Sequence, residues 1–153
     1  MGTNFYLFSK NKGLAQTYAP YSYELTDNPD FGYKIHIAKT SAGWLPVFQA
    51  HNHGMCSVAD FKEAYETGGF RIFDEYGDEY SWEGFNKRVL QFNGGIKGVA
   101  PREKIEQDKN SMLYDDNLPE YRPISHFEYA NGAYSKEYFT DKDGYEFSVR
   151  EFS

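Results

Sequence analysis

Residues 33–51 read Y-K-I-H-I-A-K-T-S-A-G-W-L-P-V-F-Q-A-H, and no other stretch restricts the fold as much. Ile35 and Ile37 alternate with Lys34, His36 and Ala38, the period of two that marks a half-buried strand. Ser41, Ala42 and Gly43 break the run, and Gly43 supplies the positive φ that a tight turn needs. Trp44, Leu45, Val47 and Phe48 resume it as a second strand. The pattern predicts a β-hairpin with Lys39, Thr40, Ser41 and Trp44 at its tip. Pro46 has no ladder donor, so the second arm is expected to be an edge strand or to bulge there.

Around this hairpin the chain alternates strand and helix signals. Phe5 to Phe8 form an apolar-aromatic strand, and residues 21–25 a short edge strand. Residues 10–20 are polar, punctuated by Gly13 and Pro20, and read as loop. Ser57 is placed to cap a helix over residues 57–67, with Asp60 as the acidic partner of a capping box. Val58, Phe61, Ala64 and Tyr65 then recur at helical spacing. Residues 70–74 make a third strand, closed by a turn at Tyr76-Gly77-Asp78. Ser81 caps a second helix over residues 81–92, with Trp82, Phe85, Val89 and Phe92 on one face. Residues 96–118 have few apolar anchors and read as a mobile, loop-rich segment, with room for a short helix over 102–110. Toward the end, strands over 125–130 and 133–140 flank Asn131-Gly132, a strong hairpin signal. Tyr145, Phe147 and Val149 then alternate with polar residues as a third strand.

The expected fold is a single α+β domain over residues 1–153: a mostly antiparallel sheet with a C-terminal three-stranded meander and two helices packed on one face. At 153 residues the chain can bury a sizeable core. Trp44, Phe61, Trp82, Phe85 and Phe147 are expected in it.

Charge and cysteine usage narrow the setting. A net charge of −7 works against direct nucleic-acid or anionic-membrane binding, which needs a basic field. No apolar run reaches the length of about 18–20 residues that spans a bilayer. The opening residues lack a signal-peptide core, and Tyr6 stands where a myristoylation motif wants Ser or Thr, so neither leader nor lipid anchor is expected. The one cysteine, Cys56, is compatible with a reducing cytosol. The 14 Tyr suit half-wet positions and partner contacts.

Several residue groups carry candidate chemistry, each beside a plainer reading. Lys39-Thr40-Ser41-Ala42-Gly43 offers an ammonium, two hydroxyls and turn N–H groups to a small anion or nucleotide. A Walker loop has another order and leads into a helix, so a polar turn is the alternative. His36 is counted with this candidate binding group. His51, His53 and Cys56 are zinc-type ligands at no common zinc spacing, and no metal or cofactor is expected. The four carboxylates of residues 74–79 lack EF-hand spacing and read as an acidic turn. Gly94-Gly95-x-Lys97-Gly98 follows a helix instead of opening one, which suits a helix stop. No catalytic constellation stands out. A hydrolase using His36 or His51 with the carboxylates of residues 74–79 remains an alternative.

The start Met1-Gly2-Thr3-Asn4-Phe5-Tyr6 resembles that of small uncharacterised proteins of tailed bacteriophages and prophages, which commonly open Met-Gly-Thr-Asn-Tyr-Tyr. The run His36-Ile37-Ala38-Lys39-Thr40-Ser41-Ala42-Gly43-Trp44 is similar to their His-Ile-Gly-Lys-Ser-Ser-Ala-Gly-Trp signature. The helix from Ser57, the Asp74-Glu75-Tyr76-Gly77 turn, and the end from Gly144-Tyr145-Glu146-Phe147 to Phe152-Ser153 look alike too. Many such proteins carry a Cys-x-x-Cys-like pair before the signature. Residues 9–33 here hold no cysteine, so no zinc-ribbon role carries over. With the acidity and the tyrosines, the resemblance implies a phage accessory protein in the cytoplasm of the infected bacterium. It would act by binding, blocking a host or anti-phage defence protein.

Overall fold

A computed structural model describes residues 2–95 and 138–152. The expected loop over 96–118, the helix over 102–110, the strand over 125–130 and the Asn131-Gly132 turn all lie outside the described residues. Along the chain run β1 (Gly2–Ser9), α1 (Lys12–Tyr18), β2 (Glu24–Leu25), β3 (Tyr33–Ser41), β4 (Trp44–Gln49), α2 (Val58–Glu66), β5 (Arg71–Asp74), β6 (Glu79–Tyr80), α3 (Trp82–Phe85, continued by a π-helical turn, Asn86–Leu90), β7 (Tyr138–Thr140) and β8 (Glu146–Ser148). The strands form one sheet in the order β6-β5-β1-β3-β4-β8-β7, with β2 on the outer end of β3. Every pairing is antiparallel except β4 with β8. The class is therefore α+β with a mostly antiparallel sheet, as the alternating strand signals imply.

Two bulges shape the central hairpin. Phe5 pairs Ala38 while Tyr6 pairs His36, which leaves Ile37 as an extra residue in β3. The inserted residue resets the alternation: Ile35 and Ile37 are buried, and so are Ala38 and Thr40 beyond them. Strict alternation places Ala38 with the polar residues, so that expectation is corrected by the bulge. On the other side, Lys39 pairs Val47 and Ser41 pairs Trp44. Leu45 and Pro46 thus share one opposing residue, Thr40, which gives the proline the irregular position it requires.

The core forms on the sheet face that the helices cover. Phe147 is fully buried; its ring stacks on Phe48 at 5.5 Å and lies 5.6 Å from both Phe61 of α2 and Phe139 of β7. Phe85 packs edge-on against Phe5 at 5.8 Å. Ser57 caps α2 through Asp60 N at 3.1 Å. Asp60 turns back to Cys56 N at 2.9 Å, one residue earlier than a capping box would. Val58 N is taken by Asp141 of the β7–β8 turn at 2.9 Å, which ties the C-terminal hairpin to the start of α2.

Four further expectations are corrected. Residues 10–20 contain α1, capped by Asn11 accepting from Leu14 N at 3.2 Å, with Ala15 buried beneath it. The second helix gives way to a π turn in which Gln91 N donates to Asn86 O. That extra residue per turn brings Leu90 into the core and leaves Phe92 half-buried. Trp44 and Trp82 are also half-buried, because one opens β4 at the hairpin tip and the other opens α3. In β8, Tyr145 and Phe147 are buried as expected, but Glu146 and Ser148 are buried as well and Val149 is 60% exposed. β8 lies between β4 and β7, so both of its edges are paired, and on the second face the Ser148 hydroxyl donates to Arg150 O at 2.6 Å.

Candidate functional site

The hairpin tip does not gather its polar groups in one place. Thr40 is buried on the helix side, where its hydroxyl accepts from Arg88 Nη1 at 3.2 Å. Lys39 and Ser41 lie on the other side of the strand, closed over Gly2. A side chain at position 2 would put its Cβ 2.6 Å from both Lys39 Cε and Ser41 Oγ. The Gly43 N–H is taken by Gly94 O at 2.6 Å. Gly94 has φ +77°, and a Cβ there would lie 2.9 Å from Trp44 N. Only glycine allows this approach, so the helix stop seats the hairpin tip.

His36 belongs to a different place. It sits with Tyr6 and Gln49 on the outer sheet face, since these alternate with core-facing Ile35, Leu7 and Phe48. There a cavity of about 440 Å³ opens, lined also by Tyr21, Ser22, Glu24, residues 50–52 and residues 149, 151 and 152. It lies where β3 changes neighbours. β4 pairs β3 over residues 38–41 and β2 pairs it over residues 33–34. Between them His36 has no partner on that edge among the described strands, and His51 supplies one for its carbonyl: its Nε2 donates to His36 O at 2.7 Å.

That bond fixes the imidazole. A carbonyl only accepts, so the proton is on Nε2 and Nδ1 keeps its lone pair. Ser22 Oγ lies 2.5 Å from Nδ1 and donates to it. Ser22 is held there by the turn after α1, where Ser22 N and Tyr23 N both donate to Ala19 O. Residues 51–55 are held from the same side, because Met55 N donates to Tyr18 O at 2.9 Å. Burial holds the His51 pKa below the usual histidine value, with the bond to His36 O acting against it.

His36 is packed between Tyr6, 5.2 Å away, and Phe152, 4.8 Å away. Burial pushes its pKa down to about 4; His51, Lys39 and Lys34 add to the shift and the Ala38 backbone opposes it. It is therefore neutral at pH 7. Its Nε2 lies 2.9 Å from Asn4 Oδ1, and Asn4 donates through Nδ2 and its backbone N–H to Glu75 Oε1 at 3.3 and 2.8 Å. Among the described residues, the acidic turn thus reaches His36 through Asn4. Within that turn, Asp74 Oδ1 accepts from Tyr76 N and Asp78 N at 2.9 and 3.0 Å, and Oδ2 from the Tyr80 hydroxyl at 2.8 Å. These contacts make Asp74 an organiser of the turn.

His51, His53 and Cys56 are not brought together. His51 is buried in the cavity wall, while His53, with φ +58°, and Cys56 are exposed. Burial raises the Cys56 thiol pKa, and the Asp60 carboxylate adds to the shift. Among the described residues no group of three or more His, Cys, Asp or Glu is placed to hold a metal ion. Likewise, no helix among them is long and apolar enough to cross a membrane.

Ser22, Glu24, Gln49, Glu151 and Phe152 are cavity residues that the sequence reading does not single out. Gln49 carried one local signal, as a polar residue at the end of an otherwise buried apolar strand. The others come from separate segments with no pattern linking them. Comparison with protein-family models, curated proteins and solved structures gave no match. What the geometry defines is an α+β fold with a ligand-sized cavity of mixed polar and aromatic lining on the sheet face opposite the helical core.

Proposed function

We propose that the protein works by binding, as an accessory protein of a tailed phage that engages a host or anti-phage defence protein in the bacterial cytoplasm. The observation that carries this reading is the outer sheet face. The cavity opens there, and beside it Phe8, Phe31 and Phe73 form a half-exposed cluster with ring centres 5.3–6.3 Å apart. Aromatic groups on a surface are strong interface anchors, and the net charge of −7 favours a basic partner. The resemblance to phage proteins supports the biological setting. The experiment is capture from a bacterial lysate with tagged full-length protein. A stoichiometric partner that is lost on Phe31→Ala with Phe73→Ala is expected. Recovery of the protein alone, or a partner retained by that variant, would contradict the reading.

The Ser22–His51 contact favours a second reading, hydrolysis of an ester or related electrophile. A hydroxyl beside a base that a third group orients is the signature of an activated nucleophile. Ser22 Oγ would attack the carbonyl carbon as its proton passes to His51 Nδ1. That proton would then go to the leaving group, and water would release the acyl group by the same route. A serine-reactive fluorophosphonate should label Ser22 in the wild type and fail on His51→Ala. No labelling of the wild type would remove this reading.

A further inference from the structure

The cavity has an electrostatic character that points to its ligand. Glu24 and Glu151 contribute carboxylates to the lining, Tyr6, Tyr21 and Phe152 contribute rings, and none of the described lining residues is a lysine or arginine. His36 and His51 share its wall in their neutral forms. Glu24 acts on Tyr6 itself: after burial and Glu75, its charge raises the phenol pKa. A cation already uses one of these rings, since Lys34 Nζ stands 4.8 Å from the centre of Tyr6.

An independent observation lies in the cavity wall. Gln49 is 3% exposed, and its Nε2 is directed at the carbonyls of Ala50, Ser148 and Arg150 at 3.1, 3.1 and 3.3 Å. Only the nitrogen end of an amide donates to carbonyls, so the orientation of the side chain is fixed. Its Oε1 is then buried and has no hydrogen-bond partner among the described residues. Buried acceptors are rarely left unmet, and Gln49 is one of the cavity's lining residues, where a ligand can bring a donor.

We propose that this cavity binds a guanidinium group, presented by an arginine of the protein partner. A guanidinium has several donors and no acceptor, stacks on tyrosine and phenylalanine faces, and pairs with carboxylates. It would donate to Gln49 Oε1, lie against the rings, and be neutralised by Glu24 and Glu151. This rests on the binding reading above and names the group that is recognised. It also assigns the cavity the opposite sign of ligand from the anion considered for the hairpin tip.

The test is titration of the full-length protein with agmatine, followed by NMR, with inorganic phosphate as the opposing probe. Saturable shifts at Tyr6, His36 and Gln49 are expected with agmatine and not with phosphate. Glu24→Gln with Glu151→Gln changes only exposed carboxylates and preserves the fold. It should weaken agmatine binding by roughly tenfold or more, the loss of one charge-assisted contact. No saturable agmatine shift, shifts with phosphate at these residues, or unchanged affinity in the double variant would each overturn the assignment. The double variant also separates the two readings. A protein partner retained equally by wild type and double variant keeps the binding reading and removes the guanidinium. Agmatine binding with no protein partner does the reverse.

Discussion

The hairpin tip and the cavity are opposite kinds of place. The tip is contiguous in sequence, from Lys39 to Trp44, yet its groups diverge. Thr40 turns to Arg88 on the helix side, Lys39 and Ser41 close over Gly2 on the other, and the Gly43 N–H is taken by Gly94. The cavity is scattered over residues 6–152, yet its groups converge. His51 meets both the His36 carbonyl and Ser22, and Gln49 turns its amide nitrogen to the carbonyls beside it. The difference teaches that a run of chemically suggestive residues in a strand is divided by the pleat. A gap in a sheet can instead collect side chains from distant segments.

The first way to break the comparison is to ask whether the tip is core. Phe85→Ala removes a fully buried ring and should cost ~3–5 kcal/mol. Trp44→Ala should cost visibly less, because the indole is half-buried. Denaturant midpoints measure both, and equal losses would return Trp44 to the core.

The cavity makes a prediction in pH. The unfolded chain protonates His36 near its ordinary value of 6.5, while the fold holds it to about 4. Between those values the unfolded state binds more protons, so stability is full above about pH 6.5 and is lost as pH falls toward 4. His51 is shifted in the same direction and adds to the loss. The His36 share amounts to about 3 kcal/mol by linkage. Melting followed from pH 7 to pH 4 should fall more steeply in the wild type than in His36→Asn. Parallel curves would place His36 in water.

Gly94→Ala tests whether the tip is a folding device. Its Cβ would meet the Trp44 backbone at a positive φ, so a loss of about 1–3 kcal/mol is expected in thermal melts. The smallest effect is at Lys39→Ala, a half-buried position whose side chain lies over Gly2, where a loss of about 1 kcal/mol is expected. A loss of several kcal/mol there would show that the ammonium organises the hairpin.

What the sequence makes legible follows from range. Ser57 and Ser81 are readable as caps because the bonds they accept, from Asp60 N and Gly84 N, are three residues away. The hairpin and the strand at residues 71–74 are readable because period two needs only a short window. α1 is hidden because its seven residues bury only Ala15 outright and hold Gly13 in the first turn. The π turn and the Ile37 bulge each insert one residue, a defect that periodicity does not announce. The cavity is hidden for another reason. Ser22 reaches His51 across 29 residues, and Gln49 reaches Ser148 across 99. His36 and His51 were both legible as candidates, but their meeting depends on where β2 and β4 leave β3 uncovered.

The central claim is that the protein acts through the cavity face and not through the hairpin tip. Hydrogen–deuterium exchange of the full chain, alone and with its captured partner, tests this most directly. The account predicts new protection at residues 21–24, 49–52 and 149–152, with residues 39–44 unchanged. Protection confined to residues 39–44 would contradict it.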